Sequence, residues 1–322
     1  MPPIPFIDAH TIRQAVPIGD LLDSVESAYR DVAAGRDRSP LRTHVGLEGG
    51  DLLLMPGVRA GGEGTTVKLV TITPANAERG LPTLHAIVVW IDATTGAPRA
   101  LLDGSTITAM RTGAASGVAT RLLARPDAET LGVIGAGGQA EWQIRAVAAA
   151  RPIRRVLVHA RTPAARAEFA ERMQIETGLD VVAVADAREA AAADVVCCAT
   201  TSTTPVVEAD WIRPGTHVNG IGAFRLGMVE LPPALFGRAE LVAVDSLAAA
   251  RAEAGDVMAA VEQGVVAADD LVEIGTIGRE WSAARDEEAI TAFKSVGLAI
   301  QDVAAAELVV ERVLGDVAAL PE

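Results

Sequence analysis

Hydrophobic and polar positions follow two different patterns along the chain, and the change falls near Glu129. Before this point, apolar residues at helical spacing run from Ile12 to Ala34. The runs DLLLMPG, TVKLVTITP and LHAIVVWID then predict strands, because they are rich in Val, Ile and Thr and bounded by glycine or proline. A second helical pattern runs from Ser105 to Leu123. This order predicts an α+β domain over residues 1–117.

After Glu129, short apolar runs alternate with helical patterns. The runs TLGVIG, RVLVHA, VVAVAD, DVVCCAT, THVNGIG and LVAVD predict buried strands. Alternating strands and helices predict an α/β, Rossmann-type doubly wound parallel sheet over residues 118–302. A last helix from about Val296 to Leu314 closes the chain, and residues from about 303 to 322 are predicted to rejoin the first domain.

Composition and charge narrow the function classes. Half of the 322 residues are hydrophobic and 22% are charged, which is typical of a globular protein. The net charge of −14 disfavours nucleic acid and anionic membrane as partners, because both are themselves negative. The two cysteines, Cys197 and Cys198, are adjacent in an apolar run and predict buried thiols rather than a disulfide. We expect a soluble, cytoplasmic protein whose five histidines lack metal-ligand spacing.

A glycine turn carries the most specific local chemistry. It follows a predicted strand and opens a predicted helix, as dinucleotide-binding turns do. Its first glycine permits a tight turn, its second lets the backbone approach a pyrophosphate, and the small Ala140 lets helix and strand pack closely. The helix N-terminus offers N–H groups to phosphate. The turn consists of Gly135, Ala136, Gly137, Gly138, Gln139 and Ala140.

The second strand of this unit indicates which nicotinamide cofactor binds. An NAD site usually carries an acid at the end of that strand, but none occurs between Glu141 and Glu168. The same interval holds six arginines, most of which we interpret as solvated charges. A 2′-phosphate explains the basic cluster, with Arg161 and Thr162 as its contacts. The sequence therefore predicts NADPH (or NADP⁺), and leaves NADH possible.

Three isolated cations stand in the predicted N-terminal domain. Lys68 lies inside the strand TVKLV, while Arg42 and Arg111 lie in turn or apolar surroundings. A buried lysine is costly without an anionic partner, so the three cations form a candidate carboxylate site. The spacing leaves open whether Lys68 instead extends to solvent from an edge strand.

Several motifs spread over nearly the whole chain match a known family in register. They are Lys68–Thr71, Asn76–Pro82, Ile107–Thr112, GAGGQA, HVNGIGA and Phe293–Gly297. Together they resemble the ornithine cyclodeaminase/μ-crystallin family. The resemblance implies a homodimer formed through the N-terminal domain and an active site between that domain and the Rossmann domain. It also implies nicotinamide-dependent chemistry on a small amino acid or its imine.

The resemblance also assigns site residues. It implies that Arg42, Lys68 and Arg111 bind the substrate carboxylate. The positions that it implies near the cofactor, besides the glycine turn, are Thr83, Arg111, Thr200, Thr201, Asn219, Ile221, Gly222 and Ser295. Val296 is implied in the loop that closes the substrate site.

Departures from the family pattern point to a branch within it. Cyclodeaminases carry a Glu and an Asp where this chain has Leu53 and Phe224, and neither of these side chains transfers a proton. Their NAD-ribose acid falls on Ala160 here. The stretch around Phe224 instead resembles bacterial reductases of Δ1-pyrroline-2-carboxylate and Δ1-piperideine-2-carboxylate.

The resulting prediction is NADPH-dependent reduction of a cyclic ketimine carboxylate to L-proline or L-pipecolate. Lys68, or a water that it positions, is predicted to supply the proton, and Phe224 an apolar wall for the ring. Three alternatives stay open: ornithine or lysine cyclodeaminase, alanine dehydrogenase or N-alkyl imine reductase, and an NADPH-dependent binding protein without turnover.

Overall fold

A computed structural model describes residues 3–315 and divides them into two compact units. The first unit takes the described residues up to Arg111 together with those from Leu298 onward, and the second is Thr112–Gly297. The sequence prediction put these changes at 117/118 and 302/303. The part of the predicted last segment beyond residue 315 lies outside the described residues.

Besides short 3-10 turns, the described residues form fourteen strands and eleven α-helices. The strands are β1 (Phe6–Ile7), β2 (Thr43–Leu47), β3 (Gly50–Val58), β4 (Gly64–Ile72), β5 (Leu84–Asp92), β6 (Pro98–Asp103), β7 (Thr130–Ile134), β8 (Arg155–His159), β9 (Asp180–Ala183), β10 (Val195–Cys198), β11 (His217–Gly220), β12 (Ala239–Val244), β13 (Val272–Glu273) and β14 (Ile290–Lys294). The helices are α1 (Ala9–Ala15), α2 (Ile18–Ala33), α3 (Gly104–Leu123), α4 (Ala140–Ala150), α5 (Pro163–Thr177), α6 (Ala187–Ala191), α7 (Pro233–Arg238), α8 (Leu247–Glu253), α9 (Gly255–Glu262), α10 (Trp281–Ala284) and α11 (Ala299–Leu314). Among these helices, none has the length and apolar character needed to cross a membrane.

The first unit is a six-stranded sheet with helices on one face. Its strand order is β1-β6-β5-β4-β3-β2, and all pairs are antiparallel except β1 with β6. Alternate residues of β4, including Thr66, Lys68 and Val70, are buried, as expected for a strand with one covered face. Helix α11 packs against β3, β4 and α2 on that face. Gly57 permits the close approach, because a Cβ there would lie 2.9 Å from the carbonyl oxygen of Ala299.

The prediction of one helix from Ile12 to Ala34 is wrong at Pro17. The chain forms α1 and α2 instead, and Val16 between them is extended with φ −118° and ψ 101°. Proline has no N–H for the helical ladder and disfavours the helical conformation of the preceding residue. The apolar spacing itself is retained, since Ile12 and Leu21 are fully buried on the two helices.

The second unit confirms the α/β fold class. Its eight strands are all parallel in the order β13-β12-β14-β11-β10-β7-β8-β9. The chain proceeds from β7 outward through β8 and β9, and then returns to place β10 on the other side of β7. The strand order therefore reverses between β7 and β10, which is where doubly wound sheets bind ligands.

Both cysteines lie in β10, fully buried and as free thiols. Burial raises the pKa of Cys197 to about 12 and also raises the pKa of Cys198. Both thiols therefore stay protonated and act as small apolar side chains.

Candidate active site

The predicted cofactor residues of the second unit gather at one edge of its sheet. Because all strands of this sheet are parallel, their carboxyl ends meet at the same edge. Strands β7, β8, β10, β11 and β14 are each followed there by predicted residues, and Asn219 lies inside β11. The residues that follow the strand ends are Gly135–Ala140, Arg161, Thr162, Thr200, Thr201, Ile221, Gly222, Ser295 and Val296.

The glycine turn has the form that a dinucleotide requires. Gly135 adopts φ +116°, and a Cβ there would lie 2.5 Å from the carbonyl oxygen of Ala199. Gly137 and Gly138 are exposed, with open space where a Cβ would stand. No side chain caps the N-terminus of α4, and the buried Oε1 atom of Gln139 has no hydrogen-bond partner among the described residues. These residues fit a pyrophosphate at the helix N-terminus.

Five of the six arginines in the predicted basic cluster have partners. Arg145 binds Glu141 and Glu176, Arg154 binds Glu129, and Arg155 binds Asp180. Arg151 and Arg166 donate to backbone carbonyls. Arg154 and Arg155 are exposed as well as paired, so they fit the interpretation as solvated charges, whereas Arg145, Arg151 and Arg166 are partly buried against their partners.

Arg161 differs from those five arginines. Its side chain is exposed directly after β8 and has no ionic or hydrogen-bonded partner within residues 3–315. Thr162, the N-cap of α5, makes no side-chain capping bond, and no acid follows β8 before the helix. The end of β8 thus presents a cation and a hydroxyl, where an NAD site would present a carboxylate.

One buried carboxylate joins two loops at the edge of the sheet. Glu230, fully buried, accepts hydrogen bonds from the backbone N–H of Thr200 at 2.6 Å, from its hydroxyl at 2.8 Å, and from the N–H of Gly222 at 2.7 Å. A Cβ at Gly222 would lie 2.0 Å from the carbonyl oxygen of Thr200. Glu230 therefore sets the spacing between the loops that follow β10 and β11.

The charge of Glu230 is balanced by a second buried pair. The Nζ atom of Lys294 lies 3.2 Å from Oδ2 of Asp256, and both side chains are fully buried. Burial raises the pKa of Glu230 and of Asp256, while the positive charge of Lys294 lowers both. Two carboxylates share one cation, so the cluster is held by charge as well as by hydrogen bonds.

The amide of Asn219 is used inside the second unit. Its Nδ2 atom donates to the hydroxyl of Thr120 at 3.2 Å, and its Oδ1 atom lies 3.2 Å from Nε2 of His217. His217 also contacts the hydroxyl of Thr291 at 2.9 Å, and burial lowers the pKa of this histidine to about 3. The network ties β11 to α3 and β14, so the structure gives the Asn219 side chain a role in holding the strand.

The predicted loop after β14 is wrapped around a carboxylate. Oδ2 of Asp245 accepts hydrogen bonds from the hydroxyl of Ser295 at 2.9 Å, from the N–H of Val296 at 2.9 Å and from the N–H of Gly297 at 2.7 Å. Gly297 adopts φ +86°, a conformation that favours glycine. Asp245 therefore gives this loop one fixed shape at the end of β14.

Phe224 is half-buried in the segment that follows β11. The guanidinium of Arg225 stacks over its ring, 5.2 Å from the centroid. The ring thus has a cation beside it, and its role as an apolar wall for the substrate stays a prediction.

The first unit brings Lys68 and Arg111 onto one acidic residue. The Nζ atom of Lys68 lies 2.8 Å from both carboxylate oxygens of Asp302, and both side chains are buried. The Nε atom of Arg111 donates to Oδ1 of the same carboxylate at 3.0 Å. Lys68 therefore does not extend to solvent from an edge strand, since β4 lies between β3 and β5.

Gln301 supports Arg111 from the neighbouring position on α11. Its Oε1 atom accepts hydrogen bonds from Nη1 of Arg111 at 2.8 Å and from the N–H of Leu298 at 2.8 Å. Its Nε2 atom donates to the hydroxyl of Tyr29 on α2. The guanidinium of Arg111 is thus fixed on two sides and keeps N–H donors that no residue within 3–315 accepts.

Electrostatics distinguish Lys68 from the two arginines. Burial and the nearby charges of Arg111 and Arg42 together lower the pKa of Lys68 to about 7, against the opposing effect of Asp302. Arg42 is half-buried and acts on Lys68 through its charge. Lys68 can therefore exchange a proton near neutral pH, which a guanidinium does not readily do.

Thr83 lies apart in the chain, exposed just before β5 in the first unit. Its carbonyl oxygen accepts a hydrogen bond from the N–H of Thr73 at 2.8 Å. Its role near the cofactor stays a prediction.

Sequence reasoning missed three carboxylates that hold the site residues: Asp302, Glu230 and Asp245. The first was visible, because a Gln-Asp pair interrupts the apolar run of the last helix. Asp245 directly follows β12, and Glu230 lies in a loop. Acidic residues are common at such positions, and nothing in the sequence indicates which groups they contact. Among residues 3–315, the structure shows no group of His, Cys, Asp or Glu placed to hold a metal ion.

Known proteins resemble this chain over nearly its full length. The profile of the ornithine cyclodeaminase/mu-crystallin family matches residues 6–316. A Δ1-pyrroline-2-carboxylate reductase from Bacillus cereus is 38% identical over 311 residues, which cover 95% of each chain.

Two solved structures are similar to this chain in fold as well as in sequence. Δ1-Pyrroline-2-carboxylate reductase from Thermococcus litoralis, in complex with NADH and L-proline, is 37% identical with a TM-score of 0.91, over 97% of this chain and 98% of that one. An archaeal alanine dehydrogenase dimer with bound NAD is 33% identical with a TM-score of 0.87, over 97% and 96% of the two chains.

Proposed function

Because the chain belongs to the ornithine cyclodeaminase/mu-crystallin family, we propose that it is an NADPH-dependent reductase of a cyclic ketimine carboxylate. The substrate is Δ1-pyrroline-2-carboxylate or Δ1-piperideine-2-carboxylate, and the product is L-proline or L-pipecolate. The relative from Thermococcus litoralis, which is described with NADH and L-proline, supports the reaction class.

One observation carries the proposal: two buried cations of the first unit share a single carboxylate. Lys68 and Arg111 both contact Asp302. A buried surplus of cations is unfavourable unless an anion compensates it. The carboxylate of a small imino acid supplies that anion, and the free end of the Arg111 guanidinium matches it in a bidentate geometry.

The residues of this chain then have separate tasks. Arg111 and Arg42 hold the carboxylate and so orient the C=N bond beside it. Lys68 gives a proton to the imine nitrogen, which makes the imine carbon more electrophilic. Phe224 packs against the ring and excludes water. A bound nicotinamide supplies the hydride that the imine carbon receives.

The cofactor is held by the turn Gly135–Ala140 and by the end of β8. The exposed Arg161, without a partner among the described residues, supports a 2′-phosphate as its ligand. Related structures hold NADH or NAD, so the preference for NADPH is a property we propose for this chain.

The cofactor proposal is tested by Arg161→Ser and by the matched variant Arg154→Ser. Arg154 lies nearby in the sequence but pairs with Glu129. We expect Arg161→Ser to raise the KM for NADPH about tenfold, as for the loss of one charged phosphate contact, and to leave the KM for NADH unchanged. Arg154→Ser should change neither. Equal effects of Arg161→Ser on both cofactors would contradict the assignment.

A homodimer is supported by the outer face of the first sheet. Its apolar side chains meet across the strands, with Leu54 opposite Leu69, Leu69 opposite Ile87, and Val67 opposite Val89. Within the described residues each keeps part of its surface exposed. A contiguous apolar sheet face of this kind is typical of an interface, and a second copy of the chain matches it by twofold symmetry.

The second candidate function is reduction of an open-chain imine, as in an alanine dehydrogenase. The likeness to the archaeal alanine dehydrogenase favours it, because the same cations would hold the carboxylate of pyruvate. Comparing kcat/KM for the two cyclic ketimines with that for pyruvate and ammonia decides between them. Ornithine serves as a further substrate in this comparison, and ammonia release from it would favour a cyclodeaminase despite Leu53 and Phe224.

A further inference from the structure

The chain contains 26 arginines and only two lysines. Both lysines, Lys68 and Lys294, are fully buried, and each is paired with a buried aspartate. All other positions with a lysine or arginine side chain hold arginine, including the buried Arg111. Lysine differs from arginine in that burial readily makes it give up its proton. The chain therefore uses lysine only where a cation faces a buried carboxylate.

We propose that Asp302 is a positioning residue: its carboxylate holds the ammonium of Lys68 in place and keeps it protonated, so that Lys68 remains the proton donor while Arg111 binds the substrate carboxylate. This inference rests on the imine reduction proposed above.

The hydrogen-bond geometry separates the tasks of the two cations. A lysine ammonium has three N–H donors, and Lys68 donates one of them to Oδ1 of Asp302 at 2.8 Å, while Oδ2 lies equally near and accepts no hydrogen bond from the described residues. The ammonium therefore keeps a donor for the substrate nitrogen. Arg111 uses Nε on Asp302 and Nη1 on Gln301, which leaves the outer side of its guanidinium for a carboxylate.

The surrounding charges explain why a counter-ion is required. The charged groups that act on Lys68 are Arg111 on α3, Arg42 before β2, and Asp302 on α11. Both arginines and burial favour the neutral amine, and only the aspartate among these groups favours the ammonium. Without that carboxylate, Lys68 would be neutral at the pH at which the imine has to be protonated.

Because there are only two lysines, the proton on Lys68 can be observed directly. Protein labelled with ¹³C and ¹⁵N in lysine gives two side-chain signals, which Lys68→Arg assigns by removing one of them. In the wild type we expect Lys68 to titrate at about 7. In Asp302→Asn, which keeps the size of the side chain, we expect the pKa of Lys68 to fall by about one unit or more.

The control is Glu307→Gln, which removes another paired carboxylate from α11. Glu307 binds Arg59 at 2.7 Å, so its loss should leave the titration of Lys68 unchanged. Asp302→Glu keeps the negative charge and should keep the pKa of Lys68 close to that of the wild type. If Asp302→Asn does not fold, Asp302→Glu serves as the test. A fall in the pKa of Lys68 in Asp302→Glu, despite the retained carboxylate, would overturn the proposal.

The pH profile of kcat/KM gives the second readout. Asp302→Asn should move the alkaline limb to lower pH by the same shift, and should reduce kcat more than it raises the KM for the imine. A residue that merely stabilises the fold would lower kcat/KM evenly and leave the Lys68 titration in place, which would overturn the inference. The labelled-lysine titration needs no turnover. If the wild type reduces no imine while Asp302→Asn still shifts Lys68, the proposed function fails and the hold of Asp302 on Lys68 stands.

Discussion

At the scale of single residues, the proposed function assigns substrate binding to two arginines and proton transfer to one buried lysine. A guanidinium does not readily give up its proton, so arginines suit a permanent hold on a carboxylate. Lys68, whose pKa is lowered to about 7, suits a proton that is given and regained.

Replacing Lys68 by arginine tests this division. Lys68→Arg keeps the positive charge but removes the exchangeable proton, so kcat should fall about a hundredfold, within the range for general-acid catalysis. In the wild type, kcat/KM should fall as the pH rises through about 7, because the protonated form is lost there. That decline should be absent from the residual activity of the variant. A variant with wild-type kcat and the same decline would show that another group supplies the proton.

The site residues show how far the sequence alone could be interpreted. The positions of Lys68 and Arg111 were predicted as a carboxylate site, but Asp302 was not, although Nζ of Lys68 lies 2.8 Å from it. These residues stand 234 positions apart, and no local pattern relates a strand cation to an acid on the last helix. The glycine turn was predictable because its chemistry is local: strand, turn and helix are consecutive.

At the scale of the elements, buried carboxylates hold the loops at the edge of the second sheet where the strands end. Glu230 spans the ends of β10 and β11, and Asp245 holds the loop after β14. Strand β14 lies between β11 and β12 in the sheet, out of chain order. The sequence predicted neither this insertion nor the break at Pro17, because strand order is decided by tertiary packing and apolar periodicity does not register a single proline.

Glu230→Gln tests whether the loop spacing matters for the cofactor. A glutamine keeps only one acceptor oxygen and points its NH₂ group at the other N–H donor, so the bonds to either Thr200 or Gly222 are lost and the bridge between the loops is broken. We expect the Kd for NADPH, measured by its fluorescence, to rise about tenfold, which corresponds to about 1.4 kcal/mol. Glu240→Gln, an exposed carboxylate near the start of β12, should leave the Kd unchanged. Equal Kd values for Glu230→Gln and the wild type would show that Glu230 does not contribute to cofactor binding.

At the scale of the whole molecule, the homodimer that we propose rests on the sheet of the first unit. One face is covered by helices, and the other presents apolar side chains that are only half-buried. When one face of an antiparallel sheet is solvated, the residues that point to this face are normally polar. Here several of them are apolar, including Leu54, Leu69 and Ile87. The homodimer that we propose covers this face.

Leu69→Asp places a charge in the middle of this face and should convert the dimer to a monomer, because an unpaired buried charge is costly. Sedimentation or light scattering gives the mass, and circular dichroism confirms that the variant is folded. Ile175→Asp on α5, where the isoleucine is 78% exposed, should remain a dimer. A folded Leu69→Asp variant that keeps the wild-type mass would place the interface elsewhere.

The most direct test of the account is the rate of NADPH oxidation with Δ1-pyrroline-2-carboxylate and Δ1-piperideine-2-carboxylate, followed by absorbance beside the same assays with NADH. The account predicts fast turnover of at least one ring, L-proline or L-pipecolate as the product, and a kcat/KM for NADPH well above that for NADH. Turnover of neither ring with either cofactor would contradict it.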